Sequence, residues 1–410
     1  MKKILLIILL LIASVLVLSG EEGNITFFHD IHLKEVMYNY ELIQEYVFDK
    51  PLGQVYFTKP TLNDSGNLSL SVTQGAFPRT RLSFDENLNF KRVGIDSLSA
   101  LISQHGEYFV QFKTDSLRMT CRIFNKSGEL VGSFAKDNPP DFRLGDTRSQ
   151  HTLNLTNIND NGIILYSESV NDKTILYKDM TSKKVGPFYN DESLKHLIHG
   201  EYSRMSALSK NVNFAVLASE NHYLGPEKYF TFPLGSRVFF YDEKANFLKS
   251  YDIEGVDLFW PAIFSESGKY FIMCAKPYMY LFKDTELVLK KNVKGLGSIR
   301  FSEDESVVLV GTGIGNLIID LKTCKTIKNI ESLGSFRAIA NKEFPIITCA
   351  TDNEVYVVNY ETEEVMLAEI IGPKYPTHYR INNLQISGDG KTITLFHHKW
   401  YRKYKIGGRK

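Results

Sequence analysis

The chain has 410 residues, with 48 Lys and Arg against 47 Asp and Glu, and aromatic residues make up 12% of it. This charge balance argues against a nucleic-acid surface, which needs a basic excess to displace counterions from phosphates. The aromatic content is high, as is typical of sheets that pack face to face. We therefore expect a folded chain that has no nucleic-acid partner.

Residues 1–20 are typical of a secretory signal peptide. Two lysines form a basic region, residues 4–18 are almost wholly apolar, and Ser19 and Gly20 are small enough for cleavage. A retained membrane anchor is the alternative, although crossing a bilayer core takes about 20 apolar residues. We expect cleavage near Gly20 and a mature chain, periplasmic or secreted, that does not insert into a membrane.

Residues 21–52 form a separate N-terminal segment in this interpretation. Two short runs in it, 25–28 and 46–48, are rich in β-branched and aromatic residues. Either run could add a closing strand to a sheet formed later in the chain. Residues 35–44 could also be a short helix, so the sequence leaves the structure of this segment open.

From residue 53 to residue 410 a short pattern recurs, in which an apolar run, a small polar turn and a second apolar run follow one another. The clearest copies lie at 262–273, 100–110 and 384–394. Self-similarity every 40 to 55 residues, roughly, in strand-only repeats is typical of a β-propeller. The first apolar runs of the repeats lie near residues 62, 102, 158, 208, 264, 301, 339 and 386.

Most repeats continue into a third and a fourth apolar run, separated by Asn, Asp or Gly turns. The last repeat has room for only three strands, at 383–387, 392–396 and 400–406. A strand from the N-terminal segment would remove the exposed edge that this leaves. We therefore predict an all-β fold, a β-propeller of eight four-stranded blades whose last blade is closed by an N-terminal strand. Seven blades is the alternative, if the first repeat is an irregular cap.

Two turns of these repeats resemble those of a known family. Residues 265–269 read Ser-Glu-Ser-Gly-Lys, and residues 387–391 read Ser-Gly-Asp-Gly-Lys. They resemble the Phe-Ser-x-Asp-Gly-Lys turn of bacterial WD40-like propellers, such as periplasmic TolB-type proteins. The resemblance implies the propeller fold and indicates little about activity. The chain departs from WD40 repeats because no repeat ends in the Trp-Asp dipeptide.

The sequence contains no motif that predicts a cofactor or a metal site. It has no Gly-rich phosphate loop, no nucleophile elbow and no His-Glu-x-x-His motif. Four cysteines in an exported protein could form two disulfides. Blades would hold them beyond the roughly 7 Å Cα separation that a disulfide tolerates, so we favour free thiols. They are Cys121, Cys274, Cys324 and Cys349.

The longest connections are expected on one face. In a four-stranded meander, the connections between blades share a face with those between second and third strands. Residues 135–150, 189–202, 220–236 and 373–382 are of these two kinds and include many aromatic residues. Tyr, Trp and Arg are enriched at binding hot spots. The predicted binding residues are Tyr229, Phe230 and Phe232 of the insertion 220–236, and Trp260, Tyr375 and Arg380 of connections between blades.

These observations predict a non-catalytic extracytoplasmic binding or scaffold protein that uses the long-loop face for a protein or peptide partner. Loops on a rigid scaffold are where binding usually takes place. The alternative is a hydrolase or lyase with a metal-containing central channel. Catalytic residues of a propeller would come from several blades and leave no local motif, so the sequence does not exclude this alternative.

Overall fold

The structure is a computed structural model of the chain. Within the residues that it describes, every regular element is a β-strand, and no helix is long and apolar enough to cross a membrane. The described residues are 25–27, 34–47, 55–57, 61–62, 68–74, 79–84, 90–93, 99–102, 107–114, 118–125, 129–137, 153–159, 161–168, 173–178, 181–185, 201–209, 215–224, 231–242, 247–254, 256–293, 296–312, 315–331, 335–350, 354–370, 383–397 and 400–410.

The strands are numbered in chain order. The first nineteen are β1 (Ile25–Phe27), β2 (Tyr38–Val47), β3 (Val55–Phe57), β4 (Thr61–Leu62), β5 (Leu68–Gln74), β6 (Arg79–Phe84), β7 (Phe90–Val93), β8 (Ser99–Ile102), β9 (Tyr108–Thr114), β10 (Arg118–Asn125), β11 (Leu130–Asp137), β12 (Leu153–Ile158), β13 (Ile164–Glu168), β14 (Lys173–Lys178), β15 (Thr181–Val185), β16 (Glu201–Leu208), β17 (Ala215–Leu224), β18 (Thr231–Tyr241) and β19 (Phe247–Ile253).

The remaining strands follow from residue 256 onward. They are β20 (Val256–Phe264), β21 (Tyr270–Lys276), β22 (Tyr278–Lys283), β23 (Glu286–Asn292), β24 (Leu296–Phe301), β25 (Val307–Thr312), β26 (Gly315–Asp320), β27 (Lys325–Glu331), β28 (Ser335–Ile339), β29 (Ile346–Ala350), β30 (Glu354–Asn359), β31 (Val365–Ile370), β32 (Asn383–Ile386), β33 (Thr392–Phe396) and β34 (Trp400–Arg409).

These strands form eight sheets, each made mainly of strands that follow one another in the chain. The prediction of an all-β fold is therefore confirmed. Among the described strands, every pairing is antiparallel except that of β1 with β27, which is parallel. In chain order the sheets are β3-β5-β6-β7 with β4 also on β5, β8-β9-β10-β11, β12-β13-β14-β15, β16-β17-β18-β19, β20-β21-β22-β23, β24-β25-β26-β27-β1, β28-β29-β30-β31 and β32-β33-β34-β2.

The apolar core lies between consecutive sheets. In β21, Phe271 and Met273 pack against Phe240 of the fourth sheet, and Ile272 packs against Val308 of the sixth. Successive side chains of a strand point to opposite faces, so a strand between two neighbours is buried on both. This is why the second strand β21 is buried at six of its seven positions and the third strand β22 at its four central ones, whereas the fourth strand β23 is largely exposed.

The sheets are arranged with their first strands side by side. From the second sheet to the eighth, each first strand contacts the first strand of the next sheet, in the order β8, β12, β16, β20, β24, β28 and β32. Further apolar clusters fill the space between the sixth and seventh sheets and between the seventh and eighth, where Val357 of β30 belongs to the same cluster as Ile393 of β33. Consecutive sheets therefore pack face to face around a shared edge of first strands.

The N-terminal segment pairs with sheets formed at the other end of the chain. Strand β2 pairs antiparallel with β34, from Tyr38 opposite Arg409 to Val47 opposite Trp400. The short-helix alternative for residues 35–44 is therefore wrong over most of its length, because the open edge of β34 supplies hydrogen-bond partners that an isolated helix would not have. Strand β1 adds to β27 of the sixth sheet, so the two predicted β-rich runs join different sheets.

Contacts of side chains fix the N-terminal segment to the seventh sheet as well as the eighth. Arg402 of β34 forms ion pairs with Glu45 at 2.7 Å and with Glu369 of β31 at 2.9 Å. Tyr38 donates a hydrogen bond from its hydroxyl to Glu364 at 3.2 Å. These contacts join β2, β31 and β34, so the segment links two sheets.

Candidate functional site

The turn between the first and second strands has the same hydrogen bond in several sheets. The Oγ atom of a serine accepts a hydrogen bond from the backbone N–H five residues later, at 3.1 Å for Ser265, 3.1 Å for Ser302 and 2.9 Å for Ser387. In the third sheet, Asn159 Oδ1 accepts from the N–H of Ile163 at 3.0 Å. The polar residue that recurs in the sequence pattern therefore holds the turn closed.

The same turns are joined to one another across the sheets. Asp304 N donates to Asn341 Oδ1 at 3.1 Å, and Asn341 N donates to the carbonyl of Gly388 at 3.0 Å. Gly388 N donates to Glu303 Oε2 at 2.8 Å. Turns of the sixth, seventh and eighth sheets thus lie on one side of the molecule, which we call the turn face. Ser267 N donates to Glu305 Oε1 at 2.5 Å, so the turn of the fifth sheet also lies on the turn face.

An ion pair between a buried carboxylate and a partly exposed lysine also belongs to the turn face. Asp320, at the end of β26, is 2% exposed and pairs with Lys342 of the next sheet. Burial raises the pKa of this carboxyl, but the hydrogen bonds from Lys342 and from the N–H of Thr323 outweigh it and hold the pKa below its ordinary value. The polar groups of the turn face therefore hold neighbouring sheets together.

The opposite ends of the strands form a second side, which we call the loop face. Because neighbouring strands are antiparallel, the ends that flank residues 138–152, 186–200, 225–230 and 371–382 lie at the edge opposite the turn face. These four segments lie outside the described residues. So do four of the predicted binding residues, namely Tyr229, Phe230, Tyr375 and Arg380.

The other two predicted binding residues lie in strands, which corrects their placement in connections. Phe232 is in β18, opposite Tyr223 of β17, and the ladder between these strands continues to Leu224 opposite Thr231. The predicted insertion 220–236 is therefore largely an extended hairpin, since its residues pair across β17 and β18. Trp260 lies within β20, the first strand of the fifth sheet.

Trp260 belongs to a β-bulge, and such bulges recur in the first strands of five consecutive sheets. Between Phe259 opposite Cys274 and Ile263 opposite Ile272, β20 has more residues than its partner strand. A bulge bends a strand and redirects its side chains, and it is common next to functional sites. The residues within the bulges, from the third sheet to the seventh, are Thr156, Arg204, Trp260–Ala262, Gly297–Ser298 and Arg337.

We call these residues the bulge set. They lie three to five residues before the first-to-second-strand turn, which is about 10 to 17 Å from the turn face at the usual strand rise. They share the edge at which the first strands meet. Only Trp260 among them was a predicted binding residue. A proline without an N–H at 261 and a glycine at 297, both inside strands, were the available signals of bulges.

Two arginines meet at this edge, from the sixth and seventh sheets. Arg300 of β24 donates from Nε to the carbonyl oxygen of Arg337 at 3.1 Å, and from Nη1 to that of Ile299 at 2.8 Å. The Arg300 side chain is exposed, but surrounding protein desolvates its guanidinium and lowers its pKa, and the charge of Arg337 lowers it further. The arginine remains charged at neutral pH, so Arg300 and Arg337 bring two positive charges to this edge.

Elsewhere in the described part of the chain, burial in the core accounts for the raised pKa values of tyrosines. Burial raises the pKa of Tyr280 to about 12 and that of Tyr401 to about 12, which keeps core tyrosines neutral. The four cysteines are free thiols, three of them buried. Within the described ranges, no group of three or more His, Cys, Asp and Glu side chains is placed to hold a metal ion.

No protein-family model and no curated protein sequence matches this chain. Among solved structures, it is similar to the C-terminal WD40 domain of Sif2, at 13% identity and a TM-score of 0.50, over 91% of this chain and 100% of that domain. A chain of the mitotic checkpoint complex matches at 8% identity and a TM-score of 0.46, over 91% of this chain and 94% of that chain. The likeness to the Sif2 domain shows a WD40-like propeller fold, as the resemblance in the turns predicted.

Proposed function

We propose that the protein is an eight-bladed propeller that acts as a non-catalytic scaffold for a protein or peptide partner. The eight sheets, of which the second to the eighth share an edge of first strands, support this number of blades. The pairing of β2 with β34 supports closure of the last blade by the N-terminal segment. The similarity in fold to a WD40 domain supports a role in binding, since such rigid scaffolds commonly present loops to partners.

The proposal includes export. Residues 1–20 are the signal peptide, residues 21–52 the segment with the closing strand, and residues 53–410 the propeller. The basic, apolar and small residues of the first segment support this division. N-terminal sequencing of the protein from its native compartment tests it, and an intact Met1 in the membrane fraction would favour an anchor.

The bulges of the first strands are the observation that carries the proposed binding site. Several polar groups of the turn face are used in bonds between sheets, whereas the bulge set lies toward the loop face. Trp260 belongs to this set, and Tyr229 lies in the sequence of the adjoining β17–β18 connection. We place the partner on the loop face, around the first strands.

Alanine substitutions test this placement. Loss of a hot-spot aromatic typically weakens binding by about 2 kcal/mol or more. We expect Tyr229→Ala and Trp260→Ala to reduce capture of a partner identified by cross-linking, with an unchanged melting temperature. Phe344→Ala is the matched control, because Phe344 is an aromatic residue of the turn face that is 36% exposed.

The outcomes separate the two functions. A fall in melting temperature with capture unchanged in the folded fraction would show that Tyr229 and Trp260 are packing residues and that the partner binds elsewhere. Equal loss of capture in Phe344→Ala would remove the preference for the loop face. A stoichiometric divalent ion in the purified protein would instead favour a hydrolase or lyase with a metal in the central channel.

A further inference from the structure

The edge of the first strands carries positive charge where the sixth and seventh sheets meet. Arg300 and Arg337 are on adjacent first strands, and the Nε–carbonyl bond of 3.1 Å fixes the guanidinium of Arg300 beside the backbone of Arg337. The whole chain carries a formal net charge of only +1. The positive charge at this edge is therefore a local feature.

The two hydrogen bonds described for Arg300 use only some of the N–H donors of its guanidinium group. A guanidinium has five N–H donors. Among the described residues, Arg300 uses Nε and one N–H of Nη1, both for backbone carbonyl oxygens. Carbonyl oxygens orient the guanidinium without neutralising it. The Nη2 group, on a side chain that is exposed to solvent, remains for a ligand.

The charge that acts on Arg300 is a like charge. Its pKa is lowered by desolvation and by Arg337, and among the described residues no carboxylate contributes to the shift. A bound anion would interact favourably with both of these positive charges. Arg204, in the bulge of the fourth sheet, adds another cationic residue to the first strands.

We propose that Arg300, with the positive charge of Arg337 beside it, forms a carboxylate-binding site for an acidic peptide segment of the partner. The planar fork of an arginine matches the two oxygens of a carboxylate, and charge-assisted bonds are the strong ones. This inference rests on the proposed function and specifies it, because it names the chemistry that the first-strand edge recognises.

Direct titration tests the site. The probe is a fluorescent peptide of alternating Glu and Gly, and the comparison peptide has Gln in place of Glu. We expect the intact protein to prefer the Glu peptide, and Arg300→Gln and Arg337→Gln each to weaken its binding at least about tenfold. The matched control is Arg122→Gln, because Arg122 is an exposed arginine of β10, a third strand.

The remaining outcomes are decisive. Equal affinity for the two peptides, no binding of the Glu peptide, or an equal loss in Arg122→Gln would overturn the site. Arg300→Lys keeps the charge and loses the fork, so we expect an intermediate affinity; an affinity equal to that of the intact protein would show that only bulk charge matters. Inorganic phosphate that displaces the Glu peptide at equal carboxylate and phosphate concentrations would overturn the preference for carboxylate.

The anion site and the proposed function fail in different ways. If the Glu peptide does not bind while Tyr229→Ala and Trp260→Ala still reduce partner capture, the carboxylate site alone is wrong. If the Glu peptide binds through Arg300 but no variant of the loop face changes partner capture, the site stands and the proposed placement of the partner is wrong.

Discussion

Gly390 offers a direct test of how the seventh and eighth sheets pack. It lies in the turn between β32 and β33 with φ at +69°, where its N–H donates to the carbonyl of Ser387 at 2.9 Å. A Cβ atom at this position would overlap Cδ1 of Ile346, a side chain of β29 that is 7% exposed. Gly390→Ala therefore introduces both backbone strain and a steric clash with the core.

The two contributions can be separated. The left-handed backbone costs an L-residue about 1 kcal/mol, and the clash adds about 2 kcal/mol as overpacking. Ile346→Val removes Cδ1 at a cost of about 1 kcal/mol, and the next contact of the added Cβ, with Cγ1, is then an ordinary 3.4 Å. Gly390→Ala should thus cost about 3 kcal/mol alone and about 1 kcal/mol in the Ile346→Val background.

Calorimetry and denaturant unfolding of the four proteins of this cycle measure the effect. With about 2 cal/mol/K of unfolding entropy per residue, a loss of 3 kcal/mol lowers the melting temperature of so long a chain by about 4 °C. Gly408→Ala is the control, because a Cβ there would have no neighbour within 4 Å. An equal cost of Gly390→Ala in both backgrounds would refute the packing of this turn against β29.

Two further predictions concern contacts between sheets. Deletion of residues 1–50 should destabilise the fold by about 2 to 4 kcal/mol and promote association through the exposed edge of β34. Deletion of residues 1–24 should do neither, because it keeps β2. Equal melting temperatures and equal elution volumes of the two deletion variants would contradict this prediction. Lys342→Met should cost about 1 to 2 kcal/mol at neutral pH, since it leaves the carboxylate of Asp320 buried without its cation. The folded-state pKa of Asp320 is lowered, so the stability from this pair is present above the unfolded-state pKa of Asp320 and is lost as pH falls through the folded-state pKa. Denaturant unfolding at several pH values should therefore show that the cost of Lys342→Met shrinks in acid, with Lys322→Met as the control. A cost of Lys342→Met that does not change with pH would contradict the assignment.

Local patterns were sufficient to predict most strands of the repeats. In the turns at Ser265, Ser302 and Ser387, the serine Oγ accepts a hydrogen bond from the N–H five residues later. The residues that specify each turn are therefore close together in sequence. The three strands predicted for the last repeat correspond to β32, β33 and β34. Apolar alternation and turn chemistry act over a few residues, and they are visible in a single sequence.

Segments whose structure depends on a distant partner were less predictable. Residues 35–44 allowed a helix or a strand, and the edge of β34, more than 350 residues away, decides for β2. The sequence of residues 220–236 predicts a loop, but in the structure Glu220 pairs with Ser236 across β17 and β18. In both cases the backbone hydrogen bonds that select the strand come from another part of the chain.

The sequence alone determined the strand-turn repeat, because turn and strand preferences are properties of neighbouring residues. The tertiary structure decided which residues share the first-strand edge. A bulge exists only relative to the strand opposite it, so Trp260 and Arg337 join one set only when the registers of β20 and β28 are known. Arg300 and Arg337 are 37 residues apart and meet because two sheets pack face to face, a contact that no local pattern specifies.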